Sequence, residues 1–133
     1  MNDSFDIGNT TRQATPRQAG SLFHAIKNDI LGDTYRLSLM FVGDTLSRRL
    51  NREHRKKDYV PNILSFPFDT SAGEMFINLH KAKKDAHTFE KGYNEFIVYL
   101  FIHGCLHLKG YDHGPAMEKA EDNAMATFFV KKK

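Results

Sequence analysis

At 133 residues, with a formal net charge of +3 and one cysteine, the chain has the size of a single domain that can bury its own core. One cysteine excludes an intramolecular disulfide and suits a reducing compartment. No apolar run approaches the ~20 residues of a membrane-spanning helix, and the opening Met1-Asn-Asp-Ser-Phe-Asp lacks the basic and apolar stretches of a signal peptide, so the expectation is a cytoplasmic protein with no membrane partner.

A single domain is expected over residues 1–133, with residues 1–15 as a loose N-terminal segment. Thr15-Pro16 reads as an N-cap followed by proline at the first helical position. Ala19, Leu22, Phe23, Ile26 and Ile30 then keep helical spacing to a stop at Gly32. Tyr35, Leu37, Leu39 and Phe41 alternate with Arg36 and Ser38 as a strand. Asp44 is positioned to cap a short helix running to about Arg52, with Leu46 and Leu50 inward. Ile63 to Phe68 is an extended run whose Pro67 implies a sheet edge or a strand end, and Glu74 to Leu79, opened by Gly73, is a further strand. A basic helix from about His80 to Lys91 turns Ala82, Ala86 and Phe89 inward and stops at Gly92. Tyr93 to Lys109 is the most apolar helix, buried through Ile97, Leu100, Phe101 and Leu108. Gly104 inside it costs helix stability and implies the close approach of another element. Pro115 starts a last helix with Met117, Ala120, Ala124, Met125 and Phe128 as its apolar stripe and Glu118, Glu121 and Asp122 towards water. The order of elements predicts an α+β domain, a small sheet covered by helices with the Tyr93–Lys109 helix at its centre.

Charge is clustered. Arg48, Arg49, Arg52, Arg55, Lys56 and Lys57 stand against the single acid Glu53 and read as a footprint for a polyanion, because basic clusters attract phosphate backbones. Lys81, Lys83, Lys84 and Lys91 read as a solvated helix face, and Lys131 to Lys133 as a tail.

The segment His103-Gly-Cys-Leu-His107-Leu-Lys-Gly110-Tyr-Asp-His113 carries the chemistry. At 100° per residue, His103 and His107 share one helix face. Gly110 can leave the helix in a left-handed conformation, and the turn brings His113 back over the first two. Three neutral imidazoles converging on one point suit a zinc ion with an open fourth position, and imidazole also suits nickel, copper or iron. The same offsets occur in zinc proteases built on H-E-x-x-H-x-x-G-x-x-H, but Gly104 stands where their general-base Glu would be. Cys105, on the far side of the helix, reads as a small buried hydrophobe and not as a fourth ligand.

These residues resemble a known family. His103 to His113 is similar to the H-G-x-L-H-L-x-G-Y-D-H signature of the YbeY family, bacterial rRNA-maturation endoribonucleases. Leu50-Asn51-Arg52-Glu53-His54-Arg55 resembles the family's L-N-x-x-x-R, and Leu64-Ser65-Phe66-Pro67-Phe68 its L-S-F-P-F. Gly73-Glu74-Met75 stands where the family has G-D-I, and Met117 and Glu121 where it carries a Met and a Glu. The resemblance covers the chain from about Leu37 onward. Pro61-Asn62 and Ile63 depart from the family's Thr-Asp or Thr-Asn and Val, and Glu74 replaces its Asp. The resemblance implies a four-stranded sheet flanked by helices and one zinc on the three histidines. It implies cleavage of single-stranded RNA in small-subunit (16S) rRNA 3′-end maturation and ribosome quality control. The implied partners are rRNA, the small ribosomal subunit and its proteins, with no DNA.

The candidate catalytic residues are therefore Arg55, His103, His107 and His113, with Arg52, Arg55, Lys56 and Lys57 as candidate RNA contacts and zinc as the cofactor. A zinc held by three neutral ligands lowers the pKa of a bound water from 15.7 towards about 7. Arg55 is the candidate phosphate clamp, since guanidinium is a permanently charged planar fork; the plainer reading is a surface arginine paired with Asp58 or Glu53. Asp112 reads either as the acceptor of a ligand's second N–H or as a turn residue, His54 as an exposed bystander, Ser65 as a strand serine and Tyr111 as packing. The alternative function is a ribosome-assembly factor that binds rRNA and ribosomal proteins with a mainly structural zinc. A metalloprotease is a third reading, opposed by Gly104.

Overall fold

The computed structural model describes residues 4–129; the Lys131–Lys133 tail lies outside them. The sheet has four strands in the order β1-β2-β4-β3: β1 Phe5–Asn9, β2 Arg36–Val42, β3 Ile63–Asp69 and β4 Ala72–Asn78. β1 and β4 flank β2 in parallel, and β3 returns antiparallel on β4. Five helices accompany it: α1 Ser21–Leu31, α2 Asp44–Arg55, α3 Leu79–Thr88, α4 Tyr93–Lys109 and α5 Pro115–Phe128. This is the expected α+β architecture with a mixed sheet.

Alternation builds the core. Leu39 pairs with Met75 and Phe41 with Ile77 across β2 and β4, so all four side chains share one face, and all are fully buried with Ile97, Phe101 and Ile102 of α4. Ten of the seventeen α4 residues are buried; a helix that is apolar nearly all round belongs in the middle of a fold. Cys105 is fully buried there, and burial pushes its thiol far above the ordinary range, which removes it from any ligand set. A Cβ on Gly104 would lie 2.6 Å from Met75 Cε and 2.9 Å from Ile63 Cδ1, so the expected close approach is made by β3 and β4.

Four expectations are corrected. Residues Phe5–Asn9 are not loose: they form β1, which pairs with β2 from Phe5↔Leu37 to Asn9↔Phe41. The strand is short and carries Asp6, Gly8 and Asn9, so nothing local announces it; it is held by long-range contacts. Phe5 stacks on Phe101 at 5.7 Å, and the buried Lys27 donates to Ser4 Oγ at 2.8 Å and to the Asp33 carbonyl at 3.2 Å. Burial draws the Lys27 pKa down, partly offset by Asp33. Second, the first helix does not start at Pro16. A 3-10 turn at Arg17–Ala19 precedes it, and Gly20 (φ −79°, ψ −124°) separates that turn from α1. Third, α2 buries Ser47 and Asn51, while Leu46 and Leu50 are half-buried. The buried polar groups are satisfied: Ser47 Oγ donates to the Pro61 carbonyl at 2.9 Å and Asn51 Nδ2 to that of Tyr59 at 3.2 Å, so α2 holds the 56–62 segment. Fourth, α3 ends at Thr88, four residues before Gly92, and Phe89 is turned outward, 62% exposed.

Gly104→Leu should lower stability by about 1–3 kcal/mol through overpacking, read as a fall in Tm by circular dichroism. Gly104→Ala should cost least, because one methyl meets mainly the flexible end of Met75 and alanine adds about 1 kcal/mol of helix propensity.

Candidate metal centre

α4 ends where the site begins. Gly110, at φ +115°, donates its N–H to the His107 carbonyl at 3.0 Å, and the Tyr111 N–H bonds back to Leu106 O at 3.0 Å. This pair of bonds is a Schellman closure, which needs a left-handed residue where glycine alone is unstrained. It reverses the chain so that His113 returns over the helix end. One ring nitrogen from each of His103, His107 and His113 lies within 4.8 Å of the others. Ring centroids are 4.6 Å apart for His103–His107 and His107–His113, and 5.4 Å for His103–His113.

The hydrogen bonds behind the rings decide what the cluster can hold. His103 Nδ1 is 2.5 Å from Glu121 Oε2, and His107 Nδ1 is 3.1 Å from the Tyr111 carbonyl. A carboxylate and a carbonyl only accept, so both Nδ1 atoms carry the proton. In neutral imidazoles that leaves a lone pair on each Nε2, and these two atoms face each other at 3.2 Å. Two lone pairs at that distance repel unless a cation sits between them. A tetrahedral zinc with Zn–N bonds of about 2.0–2.1 Å sets its nitrogen ligands about 3.3 Å apart. The residues thus fit a divalent cation on three imidazoles. Glu121 and the Tyr111 carbonyl are the outer partners that orient ligands and fix their tautomers. Burial and the neighbouring His103 and His113 hold the His107 pKa below its ordinary 6.5, which favours the neutral, metal-ready form.

The site opens into a cleft of about 430 Å³. Ile63, Leu64, Ser65 and Pro67 of β3 form one side, the three histidines and Gly110 to Asp112 another, with Arg55 and Tyr59 at the rim. Arg55 Nη1 donates to Asn51 Oδ1 at 3.2 Å and to Tyr59 Oη at 3.3 Å. Neither candidate acid pairs with it: Asp58 binds Arg48 at 2.8 Å and lies 3.9 Å from Arg52, and Glu53 lies 3.7 Å from Arg49. The structure therefore gathers Arg55 and the three histidines around one cleft. Lys56 and Lys57 are exposed on the following turn and Arg52 on the α2 surface, none of them lining the cleft.

Two kinds of residue escaped the sequence reading. Glu121, expected in water, is 6% exposed and bonded to His103; its i+4 spacing from Met117, which is 1% exposed on the same helix, was the available signal. Asn51 and Tyr59, which orient Arg55, had no signal beyond the Leu50–Arg55 motif. Asp112 is exposed in the cleft, and the ring-nitrogen acceptor is Glu121 instead. His54 packs its ring on Phe66 at 5.0 Å, and Tyr111 packs against the core as expected.

Fold and site together define a small α+β protein whose central buried helix ends in a three-histidine cation site. Residues 5–130 match the family described as Endoribonuclease YbeY, and the chain belongs to that family. It is similar to the Endoribonuclease YbeY of Helicobacter pylori J99, 37% identical over 103 residues that cover 74% of this chain and 73% of that protein. It is also similar to that of Mycoplasma mycoides subsp. mycoides, 36% identical over 88 residues, 58% of this chain and 54% of the other; the match thus spans about half the length of the mycoplasmal relative. A Thermotoga maritima protein solved in solution shares the fold at TM-score 0.64 and 19% identity, over 94% of this chain and 89% of that one. Among the described residues no helix is long and apolar enough to cross a membrane.

Glu121→Ala should weaken metal affinity by about 10–100-fold, measured by competition with a chromogenic chelator, with little change in fold. Metal-free protein should lose stability as pH falls below about 6.5. The unfolded chain there takes up a proton at His107 that the folded site resists, so the depressed pKa gives stability present above 6.5 and lost below it. Urea midpoints compared near pH 7.5 and near pH 5.5 report the difference.

Proposed function

We propose that this protein is a metal-dependent endoribonuclease that cuts single-stranded RNA in the cytoplasm. Its task would be maturation of the small-subunit (16S) rRNA 3′ end and ribosome quality control, with rRNA, the small ribosomal subunit and its proteins as partners. The observation that carries this reading is the shared cleft: three imidazoles with inward lone pairs on one side and an arginine without an acidic partner at the rim. His103, His107 and His113 would hold the ion, which we take to be zinc. Bound there, zinc supplies Lewis acidity and acidifies water to a pKa of about 7.

The remaining roles belong to the chain. Arg55 commits one nitrogen to Asn51 and Tyr59, leaving its other N–H groups to grip phosphate oxygens and to offset charge that builds during displacement. Lys56, Lys57 and Arg52 extend the positive surface along which a strand backbone could run. A purely structural zinc is usually closed by four protein ligands; His113 is exposed and the cluster faces a cleft, which favours the catalytic reading over the assembly-factor one.

Plasma emission on natively purified protein should find a single zinc per chain, and His107→Ala should lose metal and RNA cleavage together; full cleavage by the metal-free variant sinks the mechanism. Arg55→Ala should keep its zinc and lose about 100-fold in turnover, and unchanged kinetics would remove Arg55 from the site.

A further inference from the structure

A second recess of about 300 Å³ adjoins the metal centre and shares His103 and Ile63 with the cleft. Its walls are aromatic. Phe89 stacks on Phe96 with centroids 5.8 Å apart, Phe96 on Tyr99 at 5.9 Å, and Tyr99 lies 5.9 Å from the His103 ring. This ladder of rings runs from the surface to a metal ligand. Its outermost member, Phe89, is 62% exposed, an unusual position for a large apolar ring that already has Phe96 beneath it. Asn62 and Lys91 stand at the recess. Asn62 Nδ2 donates to Asp85 at 2.8 Å, which fixes the amide and leaves its Oδ1 as an acceptor. The Lys91 ammonium sits 5.9 Å from the Tyr99 centroid and 3.8 Å from Glu95 Oε2.

We infer that this recess is a nucleobase site for an unpaired RNA residue adjoining the phosphate held between Arg55 and the metal centre. The inference rests on the endoribonuclease reading and names how that site recognises a strand. Apolar ring faces beside a fixed amide and a cation match a base with its trailing phosphate, and continuity with the cleft through His103 gives the strand a path. Double-stranded RNA keeps its bases stacked and cannot supply one, so the recess would also impose single-strand selectivity.

The test is binding of a fluorescent, unstructured oligoadenylate to the zinc-loaded protein, read by anisotropy before cutting begins. It is compared with strands carrying one abasic position moved along the chain. With wild-type protein one abasic position should cost about ten-fold in affinity. With Phe89→Ala that position should cost nothing, and Phe89→Tyr should restore the penalty, all with unchanged zinc content. Wild-type protein that senses the abasic position yet never cuts the strand supports the base site and counts against the endoribonuclease reading alone. Equal binding of every strand by wild type and Phe89→Ala, with cutting intact, overturns the base site, leaves the endoribonuclease reading standing, and turns the exposed ring towards a protein partner. A uniform loss of affinity with a lower Tm also overturns it, as a structural role.

Discussion

Two acceptors behind the rings, the Glu121 carboxylate and the Tyr111 carbonyl, hold the protons of His103 and His107 on Nδ1 and so turn both Nε2 lone pairs towards one point. Without them the imidazoles could rotate or change tautomer, and the cluster would be three surface histidines. With them it is a preorganised cation site, and much of the fold serves to keep the acceptors in place. Tyr111 is delivered by the closure at Gly110. Glu121 is delivered by α5, whose Met117 is buried in the core cluster. The cost of burying a carboxylate is met by its bond to His103 and by a protonated neighbour, since burial and the Glu121 charge both hold the Tyr99 hydroxyl above its usual pKa.

The histidines need a rigid helix, and α4 is rigid because it is surrounded. Its apolar faces meet α1, α3, α5 and the β3–β4 hairpin, and Gly104 lets that hairpin approach to contact distance. The approach also positions the cleft. β3, whose Pro67 suits an edge strand, passes the helix end at the level of the histidines and contributes Ile63 to Ser65 as the facing wall. Close packing and an open wall are thus one arrangement seen from two sides.

Arg55 illustrates the opposite strategy, a functional group held by polar bonds at a helix terminus. Lys56, at φ +59°, ends α2 immediately after it. Asn51, one turn earlier and fully buried, binds the Tyr59 carbonyl and the Arg55 guanidinium together. One side chain therefore fixes both the loop and the direction of the charge. The nearby acid, Asp58, is occupied by Arg48 and Arg52, which keeps it from neutralising Arg55.

The sequence by itself determined what depends on spacing along the chain. Tyr93–Lys109 was legible to the residue from its apolar run and its glycine stops. The three histidines were legible because helical pitch and one glycine bring offsets of zero, four and ten together, and Pro67 marked an edge. What only tertiary structure decided were contacts between segments distant in sequence. β1 exists because Phe5 and Ser4 meet Phe101 and Lys27; its five residues have little strand preference of their own. Glu121 looked like one more acid on a solvated helix face, and only the crossing of α5 over α4 made it the partner of a ligand eighteen residues earlier. Phe89 fitted the inward stripe of its helix until α3 ended early and turned the ring to the surface. Periodicity reports which face of an element is apolar. It does not report what lies opposite, and the electrostatics of this site are set by what lies opposite.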